Sequence, residues 1–260
     1  MRISRSAWRK YQDAHRTLQG AARQELESYF VTLPWAADEG LALELLQAKA
    51  VELAERYGTA DATLSAAYYA ESMAAQGAKV QEPRVGRPNA LYVAQDVASA
   101  VRRATTPETA RTLAGSTLAG HVKRAGIETM RAAAVRDRAM WAWACIGDSC
   151  AFCRVLGSRG WQQASRSIVA GSHAEHVHDN CDCQFVVKAP GQTLDIEGYD
   201  PDALRREYEN TSGKSSKDSI NEMRRSDYTQ EFADRRNARR RELYQAARDE
   251  GASPDEAADA

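Results

Sequence analysis

The first 139 residues contain four prolines and many alanines, and this feature most constrains the fold. Alanine has the highest helix propensity, whereas proline interrupts helices. Pro34, Pro83, Pro88 and Pro107 therefore divide this half into separate helices. We predict helices over residues 5–31, from Pro34 to about 57, from 59 to about 77, over 89–104 and from 107 to about 138.

Local signals set the boundaries of these helices. Gly58 is a predicted C-cap of the second helix, and Thr59 or Asp61 is the predicted N-cap of the third. Thr106 precedes Pro107, which is the arrangement of an N-cap followed by proline at the first helical position. Residues 81–89 hold two prolines and one glycine, so we predict a loop there.

The sequence pattern changes at residue 140. Segment 140–146 alternates large and small residues and segment 184–189 is a short β-rich run, so both predict strands. Trp141 and Trp143 would share one strand face against a small core. Weaker helices are predicted at 201–209 and 219–249. The predicted fold is mainly α: a helical domain over 1–139, a small α+β module over 140–190, and a linker with a C-terminal helical arm and flexible tail over 191–260.

Charge and hydropathy exclude several classes of protein. The 260 residues carry 35 Lys and Arg against 36 Asp and Glu, and the net charge of −1 gives no global field for nucleic acid or acidic membranes. No apolar run approaches the roughly 18 residues of a membrane span. The polar N-terminal sequence lacks the apolar core of a secretory signal. We therefore expect a protein without a membrane span, in a reducing compartment.

All five cysteines lie between residues 145 and 183, and an odd number in one segment argues against a disulfide framework. Zinc needs four converging thiolate or imidazole ligands, commonly presented as two close pairs. A Cys-x-x-Cys pair, a His-x-x-Cys pair and one further cysteine match that need. The predicted ligands are Cys150, Cys153, His178, Cys181 and Cys183, of which four would bind a structural zinc ion.

Several alternatives remain open for this segment. The thiols can instead form a redox dithiol or a buried core, and Cys145 is either a core residue or a further ligand candidate. His173-Ala-Glu175 resembles the His-x-Glu of zinc deaminases, but the order of the motifs is reversed. His176, His178 and Asn180 are residue types found in ββα-metal nucleases, although no helix with a further His or Asn follows Cys183.

Taken together, these motifs resemble the phage Mu protein F-like family of head morphogenesis (minor capsid) proteins. That family has a Cys-x-x-Cys followed by a Leu-(Asp)-Gly turn and closed by His-Pro-Asn-Cys-Arg-Cys. The resemblance covers about residues 110–188 and departs from the family at Asp179, in place of Pro, and at Asp182, in place of Arg. The matching positions here are Cys150, Cys153, Leu156, Gly157, His178, Asn180, Cys181 and Cys183.

The resemblance implies a structural virion protein of a tailed phage, without catalysis, that aids head assembly or DNA ejection. It implies the portal or the major capsid protein as partners and packaged DNA as a further one. The expected location is the capsid interior, preceded by the host cytoplasm during assembly. The alternative is a zinc-supported DNA nuclease or DNA-binding module.

A block of arginines near the C-terminus is the remaining candidate for nucleic-acid contact. Arginines neutralise DNA phosphates, yet acidic residues mostly precede this block and balance its charge. A solvated or protein-docking helix is the competing interpretation. The candidate contacts are Arg235, Arg236, Arg239, Arg240 and Arg241.

Overall fold

A computed structural model gives the fold of the chain. The structure describes residues 2–3, 5–146, 149–165 and 183–227, together with isolated helical positions at 234, 238, 241–242 and 244–245. Within these residues the protein is mainly helical with two small sheets, as the sequence predicts. None of the described helices is both long and apolar enough to cross a membrane.

Five long helical segments form the N-terminal half. They match the predicted helices closely, because the proline and cap signals that delimit them are local in sequence. Asn89 accepts a hydrogen bond from the Tyr92 amide, and Thr106 accepts one from the Thr109 amide ahead of the proline-initiated last helix. The segments are α1 (Arg5–Phe30), α2 (Glu39–Leu53), α3 (Thr59–Ala75), α4 (Ala90–Arg103) and α5 (Pro107–Arg136).

The predicted break between α2 and α3 is wrong. A π-helical segment, Ala54–Gly58, joins the two helices, and its backbone stays in the right-handed helical region throughout. Gly58 is not a C-cap, since its φ of −68° requires no glycine. A Cβ at this position would lie 2.5 Å from Pro88 Cγ. The loop before α4 therefore packs directly on the π-helical segment, in space that a larger side chain would occupy.

Asp61 is also not a cap, because it is buried in the bundle. Its Oδ1 lies 2.7 Å from His15 Nδ1 of α1, and Lys123 of α5 interacts with it electrostatically. All three side chains are at most 4% exposed. Burial raises the pKa of Asp61, and the hydrogen bond with His15 and the charge of Lys123 oppose that rise. The three residues tie α1, α3 and α5 together through polar contacts.

The described residues also form two small sheets and three shorter helices. These elements are β1 (Arg2–Ile3), β2 (Met140–Ala144), α6 (Ala151–Gly157), β3 (Gln162–Gln163), β4 (Gln184–Lys188), β5 (Asp195–Ile196), α7 (Pro201–Glu209) and α8 (Ser216–Asp227). Strand β2 is the centre of an antiparallel sheet of order β3-β2-β4, with Trp141 opposite Val187 and Trp143 opposite Phe185. Strands β1 and β5 form a separate parallel pair.

The β3-β2-β4 sheet packs on the helical bundle through one shared core. Tyr69 and Met73 of α3 lie in the same buried cluster as Trp141 and Phe185 of the sheet. Gln76, just after α3, accepts a 2.9 Å hydrogen bond from the backbone amide of residue 189. The shared core contains residues from both sides of the predicted boundary at 139, and the β1–β5 pair joins residues 2–3 to residues 195–196, beyond the predicted boundary at 190. The division of the chain into three folding units stays a prediction.

We predict that Gly126→Ala destabilises the bundle. Gly126 lies on α5, and an added Cβ would overlap the Asp61 carboxylate and the Ser65 hydroxyl of α3. Because both groups are buried, α3 and α5 would have to separate. Urea denaturation should show a loss of about 1–3 kcal/mol in the free energy of unfolding.

The matched control is Gly20→Ala, since Gly20 is exposed on α1 with no heavy atom within 4 Å of its Cβ position. This substitution should raise the free energy of unfolding by up to about 1 kcal/mol through helix propensity. A Gly126→Ala variant as stable as the Gly20→Ala control would show that α3 and α5 do not approach as described.

Candidate metal centre

Two of the predicted zinc ligands meet at one end of the β3-β2-β4 sheet. Antiparallel pairing places Ala144 opposite Gln184, so the residue that follows β2 and the residue that precedes β4 lie at the same end. The first of these is Cys145, which is not one of the predicted ligands, and the second is the predicted ligand Cys183. Helix α6 begins directly after Cys150 and carries Cys153 to the same end of the sheet. The topology therefore gathers four cysteines that are up to 38 positions apart in the sequence.

The closest approach in this group joins the two halves of the cysteine motif. Cys153 Sγ lies 3.2 Å from Cys183 Sγ, and both side chains are buried. Cys150 is half-buried against the same core. None of the four described cysteines is in a disulfide. Cys183, the last cysteine of the predicted ligand set, is thus in contact with Cys153 of the Cys-x-x-Cys pair.

Cys145 has a different environment from the predicted ligands. Its thiol donates a 3.0 Å hydrogen bond to the backbone carbonyl of Cys153. It also lies against Gly157, where an added Cβ would come within 2.8 Å of the sulfur. Cys145 is therefore a buried residue that packs α6 against the end of β2, which is one of the two roles that its position in the sequence allowed.

The donor set fits a zinc ion in part. Thiolates that share a tetrahedral zinc lie about 3.8 Å apart, given zinc–sulfur bonds of about 2.3 Å. The sulfur atoms of Cys153 and Cys183, at 3.2 Å, are closer than this and would move apart slightly to share the ion. Among the residues that the structure describes, no group of three or more His, Cys, Asp or Glu side chains is arranged to hold a metal. The predicted ligands His178 and Cys181 lie outside those residues.

Other histidine-based hypotheses also fall in that segment. The deaminase-like pair His173 and Glu175 lies outside the described residues, and so do His176 and Asn180 of the nuclease-like set. Their catalytic roles stay untested predictions.

An aromatic core supports the cysteine end of the sheet. The ring of Phe185 stacks on Trp141 at 5.2 Å and meets Trp143 edge-on at 5.9 Å. All three are buried in the cluster that contains Cys153 and Cys183. The prediction that the two tryptophans share a face and cap a core is confirmed. This packing fixes the start of β4 and thereby positions Cys183.

Arg154 is a positioning residue that the sequence analysis did not identify. Its guanidinium pairs with Asp227 of α8 at 2.8 Å and with Glu207 of α7 at 3.1 Å, with only 18% of its side chain exposed. It also interacts electrostatically with Cys150. No local motif could reveal this role, since Asp227 is 73 positions away.

The C-terminal arginines are largely outside the described part of the chain. Arg241 occupies an exposed helical position. Arg235, Arg236, Arg239 and Arg240 are not among the described residues. Their contact with DNA stays a prediction.

Comparison with known proteins identifies a family. The family model described as VG15 protein matches residues 2–211, which span β1 through α7 and include the cysteine cluster. Helix α8 and the C-terminal arginines lie beyond the matched residues. No curated protein and no solved structure matches the chain.

Proposed function

The chain belongs to the VG15 protein family, a family of phage proteins, and from that premise we propose that it is a minor capsid protein of a tailed-phage head. Its role is structural and non-catalytic: it aids head assembly or DNA ejection in association with the portal or the major capsid protein. The capsid interior is its place in the virion, and the host cytoplasm its place during assembly.

One observation carries this proposal beyond the family match. Cys153 comes from the first half of the Mu protein F-like motif and Cys183 from the second half, and their sulfur atoms lie 3.2 Å apart. The two halves of the motif are separated in sequence by a long variable segment, so their meeting supports a motif that acts as one unit. The resemblance to head morphogenesis proteins rests on that motif.

We also propose that the cysteine cluster holds a structural zinc ion. Cys150, Cys153 and Cys183 would supply three thiolates, and His178 or Cys181 the fourth ligand. The ion would crosslink the start of α6 to the start of β4, which adds stability to a part of the chain with little core of its own. Four protein ligands leave no open position for a catalytic water.

Zinc analysis tests the metal proposal directly. Elemental mass spectrometry of the purified, reduced protein should find about one zinc ion per chain. A Cys150→Ser/Cys153→Ser variant should lose it, because two of the four ligands are gone. The matched control is Cys145→Ser, whose hydroxyl can still donate to the Cys153 carbonyl, and it should retain the metal. A folded wild-type protein without zinc, and with titratable thiols, would contradict the proposal.

Complementation of a phage with a nonsense codon in this gene tests the virion role. Without the protein, the yield of infectious particles should fall by orders of magnitude. Wild-type protein supplied in trans should restore it, and so should His176→Ala, because no catalytic histidine is required. Normal infectivity of the mutant phage would contradict a role in the head.

The same experiment separates the alternative function. A nuclease would give two results together. A folded His176→Ala variant would fail to complement, and the wild-type protein, but not this variant, would nick plasmid DNA in the presence of Mg²⁺. A protein that cuts no DNA, together with full complementation by His176→Ala, is the result that the structural role predicts.

A further inference from the structure

A cavity of about 390 Å³ lies between α5 and the loop that leads into α4, far in sequence from the cysteine cluster. Its volume falls in the range of about 300–1,000 Å³ typical of small-ligand pockets. Side chains from the loop and from the first turn of α4 line one side, and side chains of α5 line the other. The polar and aromatic ones are Arg87, Asn89, Tyr92, His121, Arg124 and Glu128.

The walls of the cavity are fixed by close packing. Gly86 donates its backbone amide to Thr129 Oγ1 of α5 at 2.9 Å, which holds the loop on that helix. Two residues on, Pro88 packs against Gly58 of the π-helical segment, in space that any larger side chain would fill. The π turn and the glycine therefore place the loop, and the loop places Arg87 at the cavity. The site is preformed.

The charges in the cavity suit one phosphate group. Arg87 and Arg124 bring two guanidinium groups, and Glu128 brings one carboxylate. His121 is 6% exposed, and its Nε2 lies 3.0 Å from Asp96 Oδ2. Burial, together with the nearby Arg124, lowers the pKa of His121, and the hydrogen-bonded Asp96 carboxylate opposes that decrease. Two cationic side chains and one anionic side chain among the lining residues suit a single phosphate, as in a phosphodiester or a monophosphate, better than a polyphosphate.

Tyr92 supplies an aromatic surface at the same cavity. It is 56% exposed although it is a large side chain on a helix of a well-packed bundle. Exposed aromatic rings beside cationic side chains are the elements with which proteins bind single-stranded nucleic acid, because every base can stack on such a ring. A base paired within a duplex is already stacked and cannot use the ring in this way.

We propose that this cavity binds one nucleotide of single-stranded DNA, with its phosphate on Arg87 and Arg124 and its base on Tyr92. The site is separate from the C-terminal arginines and does not depend on the cysteine cluster. It gives the chain a contact for an unpaired strand or strand end, beyond the structural role in the head.

Fluorescence anisotropy with a labelled thymidine oligonucleotide at low ionic strength tests the proposal. Arg87→Gln and Tyr92→Ala should each weaken binding about 5- to 100-fold, the loss expected for one phosphate or one stacking contact. Both side chains are exposed, so the variants should melt at the wild-type temperature. Duplex DNA of the same length should compete poorly, whereas thymidine monophosphate should compete better than thymidine or inorganic phosphate.

Three controls separate this site from general charge effects. Arg84→Gln removes the same charge from an exposed position of the same loop that does not line the cavity, and it should bind like wild type. So should Cys150→Ser/Cys153→Ser, whatever its zinc content. Any of three results would show that the proposal is wrong. Arg84→Gln could bind as weakly as Arg87→Gln, or the wild-type protein could fail to bind the oligonucleotide. The third such result is a loss of binding only in an Arg239→Gln/Arg240→Gln/Arg241→Gln variant.

Discussion

The fold depends on the burial of one carboxylate, Asp61, inside the helical bundle. Burial of a charged carboxylate is costly unless partners satisfy it. One oxygen of Asp61 pairs with His15 of α1 and Lys123 of α5 interacts with the carboxylate electrostatically, while the other oxygen is buried without a hydrogen bond from the residues that the structure describes. The same group borders a cavity of about 10 Å³ that is also lined by Gln184 and Phe185 of β4. The polar cluster thus sets the spacing of three helices at the place where the sheet packs on them.

The position of the sheet in turn determines what the cysteines can do. Cys183 precedes β4 directly, and Phe185 of that strand is held in the aromatic core, so the sulfur of Cys183 lies next to that of Cys153. Arg154 then connects the cysteine-bearing helix α6 to α7 and α8. A zinc ion at this point would reinforce an arrangement that packing already favours, which is consistent with a structural and non-catalytic role.

Much of the helical half could be predicted because its signals are local. The Thr106 cap with its following proline, and the alternation around Trp141 and Trp143, specify their elements within a few residues. The π-helical junction could not be predicted, because Gly58 serves a contact with Pro88 thirty positions later. The cysteine group was predicted from spacing alone. The partners of Arg154 and the cavity beside Tyr92 depend on tertiary packing, which leaves no pattern in one sequence.

The amount of this protein in purified phage particles tests the central claim most directly. Mature heads should be washed at high salt, treated with nuclease, and analysed by quantitative mass spectrometry against the major capsid protein. We expect the chain to remain with the particle, at a small fraction of the number of capsid subunits. A chain that is found in the infected-cell lysate but not in the particle would contradict it.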